Sequence, residues 1–318
     1  MTDLHLLSEK TANNKNILIF PHYAFDYQNG GVVVQYYLAK ILDELGVMVR
    51  MHPHLGTENN CIFNKFYDNE FPLDENSVVI YCEGILGNPL NAPNVVRWML
   101  SVLGQNVPHS CADTWGKNEL VYHFNSEQKF SLYPEKKHIY KMLSNVYVDP
   151  EIKQINFEKR EGSCFTFRKA FVIHRDGFFL IHPQDSFEII GGTQQQCIEF
   201  FNKYKYFYSY DSNTFLTIMA ALCGCISIVY KVNGLSKSDW IKKTPASEYL
   251  LKNNMDNLYG IAYGEEDIPF AEATLYLVKE QWDEILKFNI ENTIIPFIND
   301  IQDFEYMENN VYHNFFED

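Results

Sequence analysis

Residues 203–230 read KYKYFYSYDSNTFLTIMAALCGCISIVY. The order of residue types in this stretch decides the fold. Aromatic residues from Tyr206 to Ser209 predict a strand, which ends in Tyr208-Ser209-Tyr210-Asp211. Ser212, Asn213 or Thr214 can cap the helix that follows, which the apolar spacing places over Thr214–Leu222. Ala220 and Ala221 are small enough to let that helix lie close against a sheet. Cys223-Gly224-Cys225 ends it, and the apolar run Ile226–Val229 is the next strand. A strand, helix and strand in that order form a parallel unit. The amides at the start of such a helix are a ready site for an anion.

The same alternation extends through the chain. Asn16–Phe20 is an apolar run ahead of Gly30-Gly31. Val34, Leu38, Ile41, Leu42 and Leu45 then recur at helical spacing up to Gly46, and Val47–Met51 is a strand. Further strands are expected at Ser77–Tyr81 and Leu120–Phe124, with a short helix over Asn94–Leu103 between them. Val146 and Val148 before Pro150 mark one more strand or a domain exit, and the charged stretch Glu151–Gly162 reads as a linker. A second alternating set follows. Its strands are Cys164–Phe167, Tyr206–Ser209, Ile226–Val229 and Ile261–Tyr263, with a possible extra one at Phe178–Ile181. Its helices are Gln194–Tyr204 and Thr214–Leu222, then helical sequence from Glu272 and a closing helix near Asn292–Ile301. The expected fold is α/β, with two Rossmann-like domains facing across a cleft. Residues 1–155 form the acceptor side, 156–290 the donor side, and 291–318 a helical segment packing back on the first domain.

The 318 residues suit two domains, and an apolar fraction of 46% is enough for two cores. The formal net charge is −15. A general nucleic-acid binder should be basic, because neutralising phosphates supplies most of that affinity, so no nucleic-acid partner is expected. No apolar run reaches the roughly 18 residues of a membrane span, and the N-terminal stretch is polar. Seven cysteines lack the spacing of a disulfide framework and read as free thiols, which points to a cytoplasmic protein. Cys223 and Cys225 are separated by one residue, not the two of a zinc knuckle.

In open α/β sheets ligands sit beyond the carboxyl ends of the strands, so the loops there carry the candidates. Gly30 and Gly31 let a ligand approach the backbone at a helix N-terminus, or are a plain tight turn. Asn88 and Asn91 in GNPLNA (87–92) can exchange hydrogen bonds with the hydroxyls of an acceptor, or turn the chain into the next helix. Glu83 and Asp26 are each a general base for an acceptor hydroxyl or a solvated loop acid. Arg97, one turn into the expected helix, reads as a surface residue. Arg168-Lys169 suits a diphosphate leaving group or is a solvated pair. Tyr208, Tyr210, Asp211, Ser212, Asn213 and Thr214 complete the donor-side set.

The 211–229 stretch resembles glycosyltransferases of the GT-B fold, in particular the retaining group with two glutamates eight positions apart. Met219-Ala220-Ala221-Leu222-Cys223-Gly224-Cys225-Ile226 is similar to that group's EAMACGCPVV phrase. Asp211 falls where the first acid belongs, and the resemblance implies that it contacts the donor sugar. Met219 stands where the second acid, which holds the ribose, belongs. Gly30-Gly31 with Leu38-Ala39, Leu42 and Leu45-Gly46 resembles the family's first helix. Residues Gly87–Asn91 and Val95–Trp98 resemble glycosyltransferases of large DNA viruses and bacterial capsule loci. The resemblance implies a UDP- or GDP-sugar as co-substrate, a glycan acceptor, and Arg168 and Lys169 on the diphosphate. With no Asp-x-Asp in the chain, no metal is expected, and cations and helix dipoles take its place. The alternatives are a non-catalytic sugar-nucleotide or glycan-binding relative, or another Rossmann-based enzyme such as an epimerase or dehydrogenase. The missing Gly-x-Gly-x-x-Gly disfavours the dehydrogenase.

Overall fold

The computed structural model describes residues 15–26, 29–53, 63–67, 71, 73–117, 119–125, 141–146 and 148–303. The chain divides into two compact units, Met1–Tyr147 with Leu286–Asp318, and Val148–Ile285. Each is built on one parallel sheet, as the alternating pattern predicts.

In the first unit the strands are β1 (Asn16–Phe20), β2 (Val49–Met51), β3 (Ser77–Cys82), β4 (Asn94–Met99), β5 (Leu120–His123) and β6 (Lys141–Met142). Their order across the sheet is β2-β1-β3-β4-β5-β6, with every pairing parallel. Helix α1 (Gly30–Glu44) covers one face, packing Val33, Tyr36, Tyr37 and Leu42 into a core with Ile17, Ile19, Ile80 and Trp98. The chain's last described segment enters the same core through Ile290, Ile294, Phe297 and Ile298. Lys141 and Tyr122 both reach the Asp300 carboxylate, at 2.6 and 3.2 Å, and fasten that segment to β5 and β6.

The helix expected over Asn94–Leu103 is instead the strand β4. Val95, Val96 and Trp98 are residues that fit a sheet buried on both faces, and β4 lies between β3 and β5. The crossover from β3 is therefore a loop, 83–93, with no helix in it. This reverses the reading of Arg97. It is no surface residue but 0% exposed. Its Nε and Nη2 donate to the two carboxylate oxygens of Glu119 at 2.7 and 3.1 Å, and its Nη1 donates to the Ile85 carbonyl at 2.7 Å. Nη2 also donates to the Gly87 carbonyl. One guanidinium thus ties the helix-free crossover to β4.

In the second unit the strands are β7 (Glu161–Thr166), β8 (Phe187–Glu188), β9 (Tyr204–Ser209), β10 (Ile226–Val229) and β11 (Ile261–Tyr263). Their order is β11-β10-β9-β7-β8, again with parallel pairings throughout. The helices are α2 (Ala170–Ile173), α3 (Gln194–Lys203), α4 (Phe215–Leu222), α5 (Lys237–Lys242), α6 (Ser247–Lys252), α7 (Ile268–Thr274) and α8 (Val278–Asn289). Helix α8 runs on into the first unit, where a π turn (Ile290–Ile294), α9 (Ile295–Asp300) and a 3-10 turn (Ile301–Asp303) complete the described chain. The possible strand at Phe178–Ile181 is irregular; its backbone N–H groups bond to tyrosine hydroxyls, and the extra strand is β8. The stretch read as a linker, 151–162, belongs to the second unit. The Asn202 side chain accepts from the Ile155 and Asn156 amides at 2.7 and 3.1 Å, and Arg160 donates to the Phe201 and Cys223 carbonyls.

Removing one member of a buried pair strands the other charge. Glu119→Ala should therefore cost about 3–5 kcal/mol. Glu161→Ala, which breaks an ion pair whose side chains are 86% and 75% exposed, should cost less than about 1 kcal/mol. Urea unfolding curves of the two variants check this. Equal midpoints would contradict the role given to Arg97.

Candidate functional site

A parallel sheet whose strand order reverses leaves a crevice at the reversal, because the loops leaving the two strands there run in opposite directions. In the second unit the chain moves outward from β7 to β8, then returns to β9, β10 and β11 on the other side. The crevice therefore lies beyond the ends of β7 and β9. Thr166 and Ser209 are the last register partners of that pair, and the Tyr210 amide donates to the Thr166 carbonyl. Arg168 and Asp211 each stand two residues further on. The topology brings to one edge two residues that the sequence separates by forty-three positions.

Both carry a local feature of their own. Arg168 has φ +42°, and the other described non-glycine residues with positive φ are asparagines, Asn91 and Asn254. The left-handed region is unfavourable for an arginine, and such strain clusters at functional sites. Asp211 is 3% exposed. One of its carboxylate oxygens accepts from the Asn213 amide at 3.0 Å, closing a turn, and no cation contacts the carboxylate among the described residues. Asp211 does not cap α4. Thr214 is the cap, its hydroxyl accepting from the Leu216 amide at 3.3 Å.

The neighbours of Asp211 have structural engagements. Ser212 accepts the Trp240 indole N–H on its carbonyl at 2.7 Å, and the exposed Asn213 donates its side-chain amide to the Lys243 carbonyl. Tyr208 and Tyr210 are buried in the apolar cluster of this unit. The Tyr210 hydroxyl accepts the Ile181 amide at 2.7 Å and lies 2.8 Å from His182 Nδ1. Lys169 is exposed and precedes α2. Met219 is fully buried, so the position that resembles a ribose-binding acid is core. Cys223, Gly224 and Cys225 turn the chain with Gly224 at φ +77°, where a Cβ would meet the Arg160 guanidinium. Burial pushes the Cys223 thiol up to about 12. Among the described residues no group of three His, Cys, Asp or Glu could hold a metal ion.

In the first unit the order reverses between β1 and β3. Glu83, just past β3, is buried. Its carboxylate accepts from the Leu100 amide, the Ser101 amide and the Ser101 hydroxyl at 2.9, 3.1 and 2.6 Å. Burial raises its pKa against the pull of these bonds. Asp26 is exposed, and its carbonyl accepts the Asn29 amide. Gly30 and Gly31 open α1 with ordinary negative φ, and a Cβ at Gly30 would meet nothing within 4 Å. The cap is Asn29. Asn88 is spent on its own loop: Oδ1 accepts from Tyr81 Oη and the Ala92 amide, and Nδ2 donates to the Ala92 carbonyl. Asn91, exposed at φ +51°, completes that turn.

Two features escaped the sequence reading. His22 follows β1, and its ring fills the space that a Cβ on Gly84 would need. Its Nδ1 lies 3.5 Å from Cys82 Sγ. Gly191-Gly192-Thr193 joins β8 to α3 at the edge that holds Arg168, with Gly192 at φ +132° and Thr193 and Gln196 forming a reciprocal cap. Paired glycines before a capped helix were the available signal, as at Gly30-Gly31.

No family model matches the chain, and no curated protein matches it. Among solved structures, an alpha-glucosyltransferase in complex with UDP and a 13-mer DNA containing a HMU base aligns over 92% of this chain and 99% of that one. The TM-score is 0.43 and the sequence identity 10%.

Gly224→Ala tests the turn that ends α4. It forces a side chain into the left-handed region and against Arg160, so it should lower stability by more than about 1 kcal/mol. A thermal melt unchanged from that of the parent chain would contradict this.

Proposed function

We propose that the chain is a glycosyltransferase. It moves a sugar from a UDP- or GDP-sugar to a hydroxyl of a glycan acceptor, with no bound metal. The observation that supports this best is the strand-order reversal of the 148–285 sheet, which brings the loops of strained Arg168 and nearly buried Asp211 to one edge. The resemblance of residues 211–229 to GT-B enzymes agrees with it.

Asp211 accepts hydrogen bonds from the donor sugar's hydroxyls and fixes the ring. The acceptor oxygen attacks the anomeric carbon, and the bond from that carbon to the diphosphate oxygen breaks. The diphosphate leaves with the electron pair, and its charge is met by Arg168, Lys169 and the amides at the start of α4. A carboxylate takes the acceptor's proton. A second reading is favoured by Met219: a relative that binds sugar nucleotides without turning them over.

Release of nucleoside diphosphate from UDP- and GDP-sugars, with a glycan acceptor present, separates these readings. The transferase reading expects turnover that survives EDTA. It also expects Asp211→Asn to keep the parent melting temperature, since the Asn side chain can still accept from the Asn213 amide, yet to lose at least tenfold in rate, about 1.4 kcal/mol of barrier. Binding without turnover supports the second reading. Turnover that needs added manganese or magnesium, or an Asp211→Asn variant of normal rate, contradicts the mechanism.

A further inference from the structure

The segment that follows β7 shows apolar side chains to solvent in a way the core does not explain. Phe171 and Val172 on α2 are 70% and 65% exposed, and Phe179 and Leu180 are 82% and 62% exposed. The backbone beneath the second pair is fixed. The Phe179 amide donates to the Tyr230 hydroxyl at 3.2 Å and the Ile181 amide to the Tyr210 hydroxyl at 2.7 Å. Phe178, between Gly177 and Phe179, turns inward against Phe167, Tyr210 and Tyr230. The loop is therefore held while two bulky apolar side chains project from it. Phe171 touches the inward Phe178 ring at 5.4 Å, so α2 and the loop lie side by side.

The charge of this segment departs from that of the chain. Residues 168–182 carry Arg168, Lys169 and Arg175 against a single carboxylate, Asp176, in a protein of net charge −15. Lys169 and Arg175 are exposed and form no ion pair among the described residues. Projecting apolar side chains with cations beside them are what binds a protein to the boundary of an anionic bilayer: the chains enter the acyl region while the cations meet headgroups. A glycan would stack on flat aromatic faces, and Val172 and Leu180 offer none. A second protein copy would need a matching surface, whereas a fluid bilayer adapts to a projecting loop.

We infer that residues 171–180 dock the protein on an anionic lipid surface, with Phe171, Val172, Phe179 and Leu180 entering the bilayer boundary and Arg175 on its headgroups. The inference stands whether or not the chain transfers sugar. Co-sedimentation of the full chain with phosphatidylcholine vesicles, with and without phosphatidylserine, tests it. The parent chain should pellet with the phosphatidylserine vesicles, and added salt should release it. Phe179→Ser with Leu180→Ser should weaken binding at least tenfold, and Arg175→Glu should weaken it in the same direction. Arg175 lies on the surface, so that variant decides the matter should the double variant fail to fold. No pelleting by the parent chain, or unchanged pelleting by the folded variants, would overturn the inference. So would a parent chain that sediments as a dimer without lipid while the double variant is a monomer, since a second copy would then cover the patch.

Discussion

Parallel pairing is the constraint on which the rest depends. All strand pairs of both sheets run parallel, so every connection must cross a face of its sheet, and all strands of a unit end at one edge. Loops that leave that edge gather side chains from distant parts of the sequence. Each sheet reverses its order once, and the reversal sets which loops become neighbours. In the second unit that rule, with no ligand present, makes neighbours of the loops that carry Arg168 and Asp211.

The two units meet the constraint differently. In the second, helices such as α3 and α4 cross the sheet, and their first turns lie at the strand-end edge. In the first, the passage from β3 to β4 takes eleven residues without a helix, 83–93. A helix would have satisfied its own backbone groups. The loop instead relies on Arg97, which bonds two of its carbonyls, and on Asn88, which bonds the Ala92 amide and carbonyl. Burying a guanidinium is tolerated because Glu119 meets it with both carboxylate oxygens.

Periodicity made most of the elements legible in the sequence. Apolar spacing located α1 and α4, and short β-branched runs located β1, β3 and β10. The misreading of Asn94–Leu103 has a clear cause. VVRWML carries a charge in its middle, and helical spacing excuses a charge that a central strand does not, unless a partner waits elsewhere. That partner, Glu119, lies twenty-two residues on, and no local pattern connects the two. The candidate site was legible in part for a related reason. Asp211 and Arg168 stand out because strand ends can be read from sequence. The use of the Asn88 side chain within its own loop, and of the Tyr210 hydroxyl by Ile181, depends on bonds that spacing does not reveal. The packing of the His22 ring on Gly84 and the turn at Gly191-Gly192 fit no named motif.

The central claim is that the strand ends of the 148–285 unit hold the nucleotide sugar. Amide hydrogen exchange of the full chain, with and without saturating UDP- or GDP-sugar, tests it most directly, since it reads both units at once. The account predicts slowed exchange in residues 166–171 and 210–217, around Arg168 and Asp211. Slowed exchange confined to residues 15–146, or an unchanged pattern with every donor, would contradict it.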